Sequence, residues 1–203
     1  SRILMRSQHV KTIIPRSIFL SSRSGIEDAI DIYEIKSLFS VTMVQFDLDG
    51  RKRDDLQQFT INILDNEDVD VVCHLEEAVE WIDKAPKPLL IQSDFGLSRA
   101  PTFIIAYLMI KKKWPLSTSY NFIERKADMF PNYGFFMQLY NVGQELFGDK
   151  NISDSQFIVE RMREHLGIYK PEEFTDDQIY KAFTESEGDK AAMLSILEPI
   201  IKN

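Results

Sequence analysis

Cysteine is nearly missing from this chain: Cys73 stands alone among 203 residues. No internal disulfide can form, and a reducing compartment, cytoplasmic or nuclear, is expected. Histidine is also scarce. His9, His74 and His165 have no Cys or acidic neighbours at metal-ligand spacing, so no metal site is expected. Positive charge is short: 24 Lys and Arg face 32 Asp and Glu, a net charge of −8. Binders of nucleic acid or anionic membranes are usually basic, so neither partner is expected. Apolar runs are short too. The longest, Phe103 to Ile110, has the length of a core helix, and no signal-peptide or membrane-spanning pattern is read. No repeat or low-complexity segment stands out. What remains is a chain with 44% hydrophobic residues, enough for one medium domain and a small one.

Strand and helix patterns alternate along the first two thirds. Thr12 to Leu20 alternates like a strand pair, and Ser21 to Gly25 reads as a turn. From Ile26 to Ser37 the apolar residues Ile26, Ala29, Ile30, Tyr33 and Ile35 fall near helical spacing. Val41 to Leu48 and Gln58 to Leu64 read as strands, separated by a charged loop from Asp49 to Asp55. Val72 to Lys84 places Leu75, Ala78, Val79, Trp81 and Ile82 on one face and is an amphipathic helix. Cys73 lies at its start and is expected to act as a small buried hydrophobe. This β-α-β order predicts an α/β layered domain.

The most informative segment follows. Pro88-Leu89-Leu90-Ile91 reads as a buried parallel strand, Phe103 to Ile110 as a buried helix, and Gln92 to Thr102 joins them. A strand, a Gly-bearing loop and a helix N-terminus form an anion cradle from backbone N–H groups and the helix dipole. Arg99 can close it with a guanidinium.

Gln92-Ser93-Asp94-Phe95-Gly96-Leu97-Ser98-Arg99-Ala100 resembles the loop of the dual-specificity branch of the cysteine-dependent protein tyrosine phosphatases, His-Cys-x-x-Gly-x-Ser-Arg-Ser/Thr. Gly96, Ser98 and Arg99 match. Ser93 stands at the nucleophilic Cys, Gln92 at the His, and Ala100 at the final hydroxyl residue. The similarity runs from about residue 12 to about 148. Ile18-Phe19-Leu20-Ser21-Ser22 is similar to the family's opening strand and turn, Val41-Thr42-Met43-Val44 to its next core strand, and Pro131-Asn132-Tyr133-Gly134-Phe135 to its Pro-Asn-x-x-Phe element. The resemblance implies a phosphate-binding loop of Ser93, Asp94, Phe95, Gly96, Leu97, Ser98 and Arg99, with Phe95 and Leu97 at its rim or in loop packing. It also implies a general-acid position at Asp65; an Asx cap after a strand is the plainer reading of that residue.

The substitutions have a chemical cost. A thiol titrates near ~8.5, and a helix N-terminus can bring it to roughly 3.5–7.5. A Ser hydroxyl stays protonated and needs a neighbouring base. Gln92 cannot tune a nucleophile as a His does. Ala100 lacks the hydroxyl that, by resemblance, assists phosphoenzyme breakdown. Asp94 would repel phosphate if its carboxylate faced the cradle and would matter less if it faced solvent. A Cys→Ser change made at the bench to trap a ligand would alter position 93 alone, leaving Gln92 and Ala100 to be explained separately.

After Gly148 the pattern changes. Ser153 and Gln156 have capping-box spacing; Phe157, Ile158, Met162, His165 and Leu166 follow at helical intervals, and Gly167 ends that helix. Thr175 opens a second helix carrying Ile179, Ala182 and Phe183, and Gly188-Asp189 leads into a third. His74 and His165 are expected at surface or capping positions, and Lys111 to Lys113 as favourable charge at a helix C-terminus. Acidic residues outnumber basic ones eleven to six from residue 151 onward, as on a solvated helical surface. Leu166-Gly167-Ile168, Ala182-Phe183 and Ala191-Ala192-Met193-Leu194 weakly resemble ubiquitin-associated domains, which implies ubiquitin as a partner. A helical extension packed on the first domain is the other reading.

The expected architecture is therefore a three-layer α/β phosphatase-like domain over residues 1–148, with a central mostly parallel sheet flanked by helices, then a small three-helix bundle over 149–203. The resemblance implies a catalytically impaired dual-specificity phosphatase-like protein that binds a phosphorylated or acidic protein segment or acts as a scaffold. One alternative is an active protein phosphatase carrying a Cys→Ser change at position 93, with a cysteinyl-phosphate intermediate there and Asp65 as acid, then base. A second is a ubiquitin-pathway adaptor acting through the C-terminal helices. No metal or organic cofactor is implied.

Overall fold

The computed structural model describes residues 9–44, 55–170 and 172–201. Five strands, β1 (Val10–Ile14), β2 (Ile18–Ser22), β3 (Ser37–Val41), β4 (Gln57–Ile61) and β5 (Leu89–Ser93), form one sheet in the order β1-β2-β5-β3-β4. Among the described strands only the β1–β2 pair is antiparallel; β5 runs parallel to both neighbours, with Ser93 level with Ser22 on β2 and Val41 on β3.

Side chains of β5 alternate between two cores, as a period-2 strand buried on both faces requires. Leu89 and Ile91 enter the larger core, with Ile18, Phe39 and Val41. Leu90 enters a smaller one with Phe19, Leu38 and α1 (Ile26–Tyr33). On the larger side lie α2 (Val72–Lys84), α3 (Arg99–Lys111), α4 (Leu116–Glu124) and α5 (Tyr133–Phe147). Helix α3 is buried at every position from Arg99 to Met109, as expected where the run from Phe103 onward is apolar on every side. The expected three-layer arrangement is present.

Several boundaries differ from expectation. Helix α1 ends at Tyr33 because Glu34 turns left-handed, with φ 51°, and Ile35 joins the smaller core from outside the helix. The strand expected at Val41 to Leu48 lies earlier, at Ser37–Val41. It is buried on both faces, so Ser37 and Ser40 interrupt its hydrophobic pattern rather than marking a solvent face. Residues 45–54, which hold the end of that expected strand and the charged loop up to Asp55, are outside the described residues. The fourth strand is Gln57–Ile61, ending before Leu64.

Helices α6 (Ser155–Leu166), α7 (Asp176–Glu185) and α8 (Lys190–Ile201) follow. Asp154, not Ser153, caps α6, accepting a hydrogen bond from the Phe157 amide; either residue type can do so, and the chain enters the helix one residue later. Thr175 and Gln178 form a capping box on α7, and Gly167 ends α6 at φ +70°.

These helices share the larger core. Phe157 packs edge-on to Tyr120, with ring centroids 5.6 Å apart, and Arg161 lies 4.8 Å over the same ring. Ile168 is buried in that core as well. Asn151 fixes the join: its Oδ1 accepts from the Leu116 amide, and its Nδ2 donates to the Tyr140 carbonyl. Gly143 permits this approach, since a Cβ there would meet Asn151 Oδ1 at 2.0 Å. His165 is neither a surface nor a capping residue. It stacks on Phe130 at 4.5 Å, beside Tyr133 and Phe136, and its Nε2 is buried without a partner among the described residues. Burial, then the charges of Lys190 and Arg161, push its pKa down to about 4.

Candidate functional site: an ion-paired anion cradle

The site lies at the carboxyl ends of β2, β5 and β3, where α/β sheets place their ligands. Strand β5 delivers Ser93, and the chain turns through Asp94 to Ser98 into α3. Gly96 makes the turn possible. Its φ is +70°, and an added Cβ would sit 2.9 Å from the Ser21 carbonyl and the Ser22 nitrogen. The loop is therefore seated against the end of β2, and Arg23 N–H donates to the Asp94 carbonyl at 3.2 Å.

Ser93 is 2% exposed. Its Oγ accepts from the Ala100 amide at 3.2 Å, and among the described residues no side chain is placed to take its proton. Gln92, one position earlier on the strand, faces the opposite side of the sheet. It is buried, and its Oε1 has no partner among the described residues. Alternation along β5 thus separates positions 92 and 93, and only the latter reaches the loop.

Arg99 opens α3 and is 6% exposed. Its Nη1 donates to the Ile63 carbonyl at 3.0 Å, and its Nη2 contacts Asp94 Oδ2 at 2.6 Å. Asp94 Oδ1 accepts from Thr42 Oγ1 at 2.7 Å. The Asp94 carboxylate therefore faces inward and neutralises the guanidinium expected to grip an anion. Burial alone would raise its pKa. Hydrogen bonds from Thr42 and Arg99, with the charges of Arg99 and Arg23, outweigh burial and hold it below the usual carboxylate range. Around this ion pair, the amides of Phe95, Leu97, Ser98 and Arg99 find no acceptor among the described residues.

Asp65 is exposed, just after β4 and its extension. Its Oδ1 accepts from Ser98 Oγ at 2.7 Å and from Asn132 Nδ2 at 2.8 Å; Ser98 Oγ in turn accepts from the Asn132 amide at 2.9 Å. Asn132 also caps α5 through the Phe135 amide. The structure thus gathers Asp65, Ser93, Asp94, Ser98 and Arg99 at one end of the sheet, with Asp65 joined to Ser98. Phe95 and Leu97 point outward, 78% and 45% exposed, and neither is buried in loop packing. Met43, Val44, Leu64 and Phe130 are exposed apolar residues on neighbouring segments.

Two participants were missed in the sequence. Nothing in Val41-Thr42-Met43-Val44 marks Thr42 as the residue that holds Asp94. Asn132 carried a signal, as a cap three residues before Phe135. Cys73 is exposed rather than buried, its Sγ donating to the Asp70 carbonyl on the outer turn of α2. Lys111 pairs with Glu80 and Asp83 of α2. No cluster of His, Cys, Asp or Glu among the described residues could hold a metal, and no helix of them is long and apolar enough to cross a membrane.

Comparisons with known proteins agree with this geometry. Over 83 residues the chain is 36% identical to protein phosphatase Slingshot homolog 1 of Homo sapiens, a stretch covering 39% of this chain and 8% of that protein. Over 156 residues it is 26% identical to dual specificity protein phosphatase 1 of Arabidopsis thaliana, covering 75% of this chain and 76% of that one. The structure of human DUSP28 superposes with a TM-score of 0.60 at 23% identity, covering 68% of this chain and 95% of the other. The family model for the dual specificity phosphatase catalytic domain matches residues 18–145. That match spans more than half of the chain, and the chain belongs to the dual specificity phosphatase catalytic-domain family.

Proposed function

We propose that this family member does not catalyse phosphate transfer and uses the loop after β5 to bind a phosphorylated or acidic protein segment. One observation supports this most directly: Gly96, Ser98 and Arg99 are retained in the loop after β5, while position 93 carries a hydroxyl without a base among the described residues. A buried Ser hydroxyl with its lone pair on the Ala100 amide is a poor nucleophile at neutral pH. Arg99 and the loop amides would hold the anion, and Phe95 and Leu97 would touch the partner's flanking residues.

The test has two arms. The full chain should not hydrolyse an aryl phosphate above background. It should bind a phosphopeptide in a way that Arg99→Ala weakens by about 1.5–3 kcal/mol, the scale of a charged hydrogen bond. Turnover abolished by Ser93→Ala would reverse the first part; affinity unchanged by Arg99→Ala would move the binding surface elsewhere. Codon 93 in the source genome also bears on the reading. A Cys codon there would transfer it to an active protein phosphatase.

A further inference from the structure

The Asp94–Arg99 pair joins two halves of one anion site. The Arg99 side chain is 7% exposed, and one arm is committed to the Ile63 carbonyl, so Nη2 faces whatever anion the loop contains. That place is taken by Asp94, which is held from three separate elements. Thr42 after β3 donates to Oδ1, Arg99 at the start of α3 pairs with Oδ2, and Arg23 N–H after β2 fixes the backbone carbonyl. A carboxylate held so closely acts as a tethered ligand at very high effective concentration.

We infer that Asp94 is a built-in competitor that sets the selectivity of this site, admitting phosphomonoesters and rejecting segments that offer only carboxylates. The inference rests on the reading that the loop binds anions, and it narrows the partner to a phosphorylated one. A carboxylate from outside would exchange one like group for another on Arg99, and it would lose to the tethered copy. A phosphomonoester brings about −1.5 to −2 charge and three acceptor oxygens. It can use the Phe95, Leu97, Ser98 and Arg99 amides, which Asp94 leaves without acceptors. The displaced carboxylate has room to turn outward, because Asp94 also lines an open cleft with Ser22, Arg23, Ser24, Glu27 and Phe95.

A matched pair of probes tests this on the full chain: phenyl phosphate and benzoate, followed by the amide shifts of Gly96 and Arg99. Wild type should bind phenyl phosphate and show at least tenfold weaker binding of benzoate. Asp94→Ala, and less completely Asp94→Asn (whose amide oxygen can still reach Arg99), should tighten benzoate at least tenfold and narrow the discrimination. Thermal melting of each variant establishes that it is folded. A folded Asp94→Ala that binds benzoate no better than wild type overturns the inference and leaves the proposed function standing, provided phenyl phosphate still binds. Failure of phenyl phosphate to bind either form overturns both.

Discussion

Ser98 donates its hydroxyl to Asp65 across 2.7 Å, tying the anion loop to the carboxylate beyond β4. The same oxygen accepts from the Asn132 amide, so a single hydroxyl joins the segments leading into α3 and α5. Ser98→Ala would leave that amide and one Asp65 lone pair without this partner. It is expected to lower stability by about 1–2 kcal/mol in urea unfolding. A change below a few tenths would mean the network carries little strength.

Gly96→Ala should be more damaging than its size suggests. Positive φ and the Ser21 and Ser22 backbone both oppose a Cβ, and the expected cost is about 2 kcal/mol, with weaker binding of phenyl phosphate. Melting at the wild-type temperature would show that the loop is not seated on β2 as described.

Ser93→Cys places a thiol at the N-terminus of α3 beside the Ala100 amide. Both favour a thiolate, so the pH profile of alkylation at this thiol should have its midpoint below the ~8.5 of a free thiol. Aryl phosphate hydrolysis by this variant should stay slow while Asp94 holds Arg99, and rise at least tenfold when Asp94→Ala is added. Equal rates in the single and double variants would show that displacing Asp94 from Arg99 costs a phosphomonoester nothing measurable.

These site features were unequally legible in the sequence. Gly96, Ser98 and Arg99 could be placed because strand, loop and helix are contiguous and follow local rules. Helix Val72–Lys84 was placed to the residue because its one-sided apolar spacing is strong. The direction of Asp94 could not be read, since it depends on Thr42, fifty-two residues away in sequence. Strand β3 starts before the stretch its pattern suggests because burial on both faces removes the alternation that marks a strand. His165 was misplaced for a similar reason: its surroundings come from Phe130, Tyr133 and Phe136 on other segments.

Stability should fall as pH drops between about 6.5 and 4. His165 takes up its proton near 4 in the folded chain and near 6.5 when unfolded, so the unfolded state binds more protons in that window. The full effect would be roughly 3 kcal/mol. Asp94, whose pKa is lowered in the folded state, contributes in the same direction at the acid end. Thermal melts of wild type and His165→Phe from pH 7 to 4.5 check the origin, and a slope the substitution does not flatten would assign the loss to the carboxylates.

Phe157→Ala should cost about 3–5 kcal/mol, because the ring is 4% exposed between Tyr120 and Phe136. Chemical-shift changes should reach α4 and α5. A loss confined to residues 149–203 would indicate two separately melting units.

The unbroken core has a practical side. Trimming the gene to the family-matched stretch, which stops at residue 145, would strip the cover from Tyr120 and Phe136 and discard the asparagine wedged against Gly143. Such a fragment would carry a raw greasy wall where Phe157 and its neighbours now lie. Clumping of the shortened polypeptide would then report on where it was cut, not on any defect in the loop.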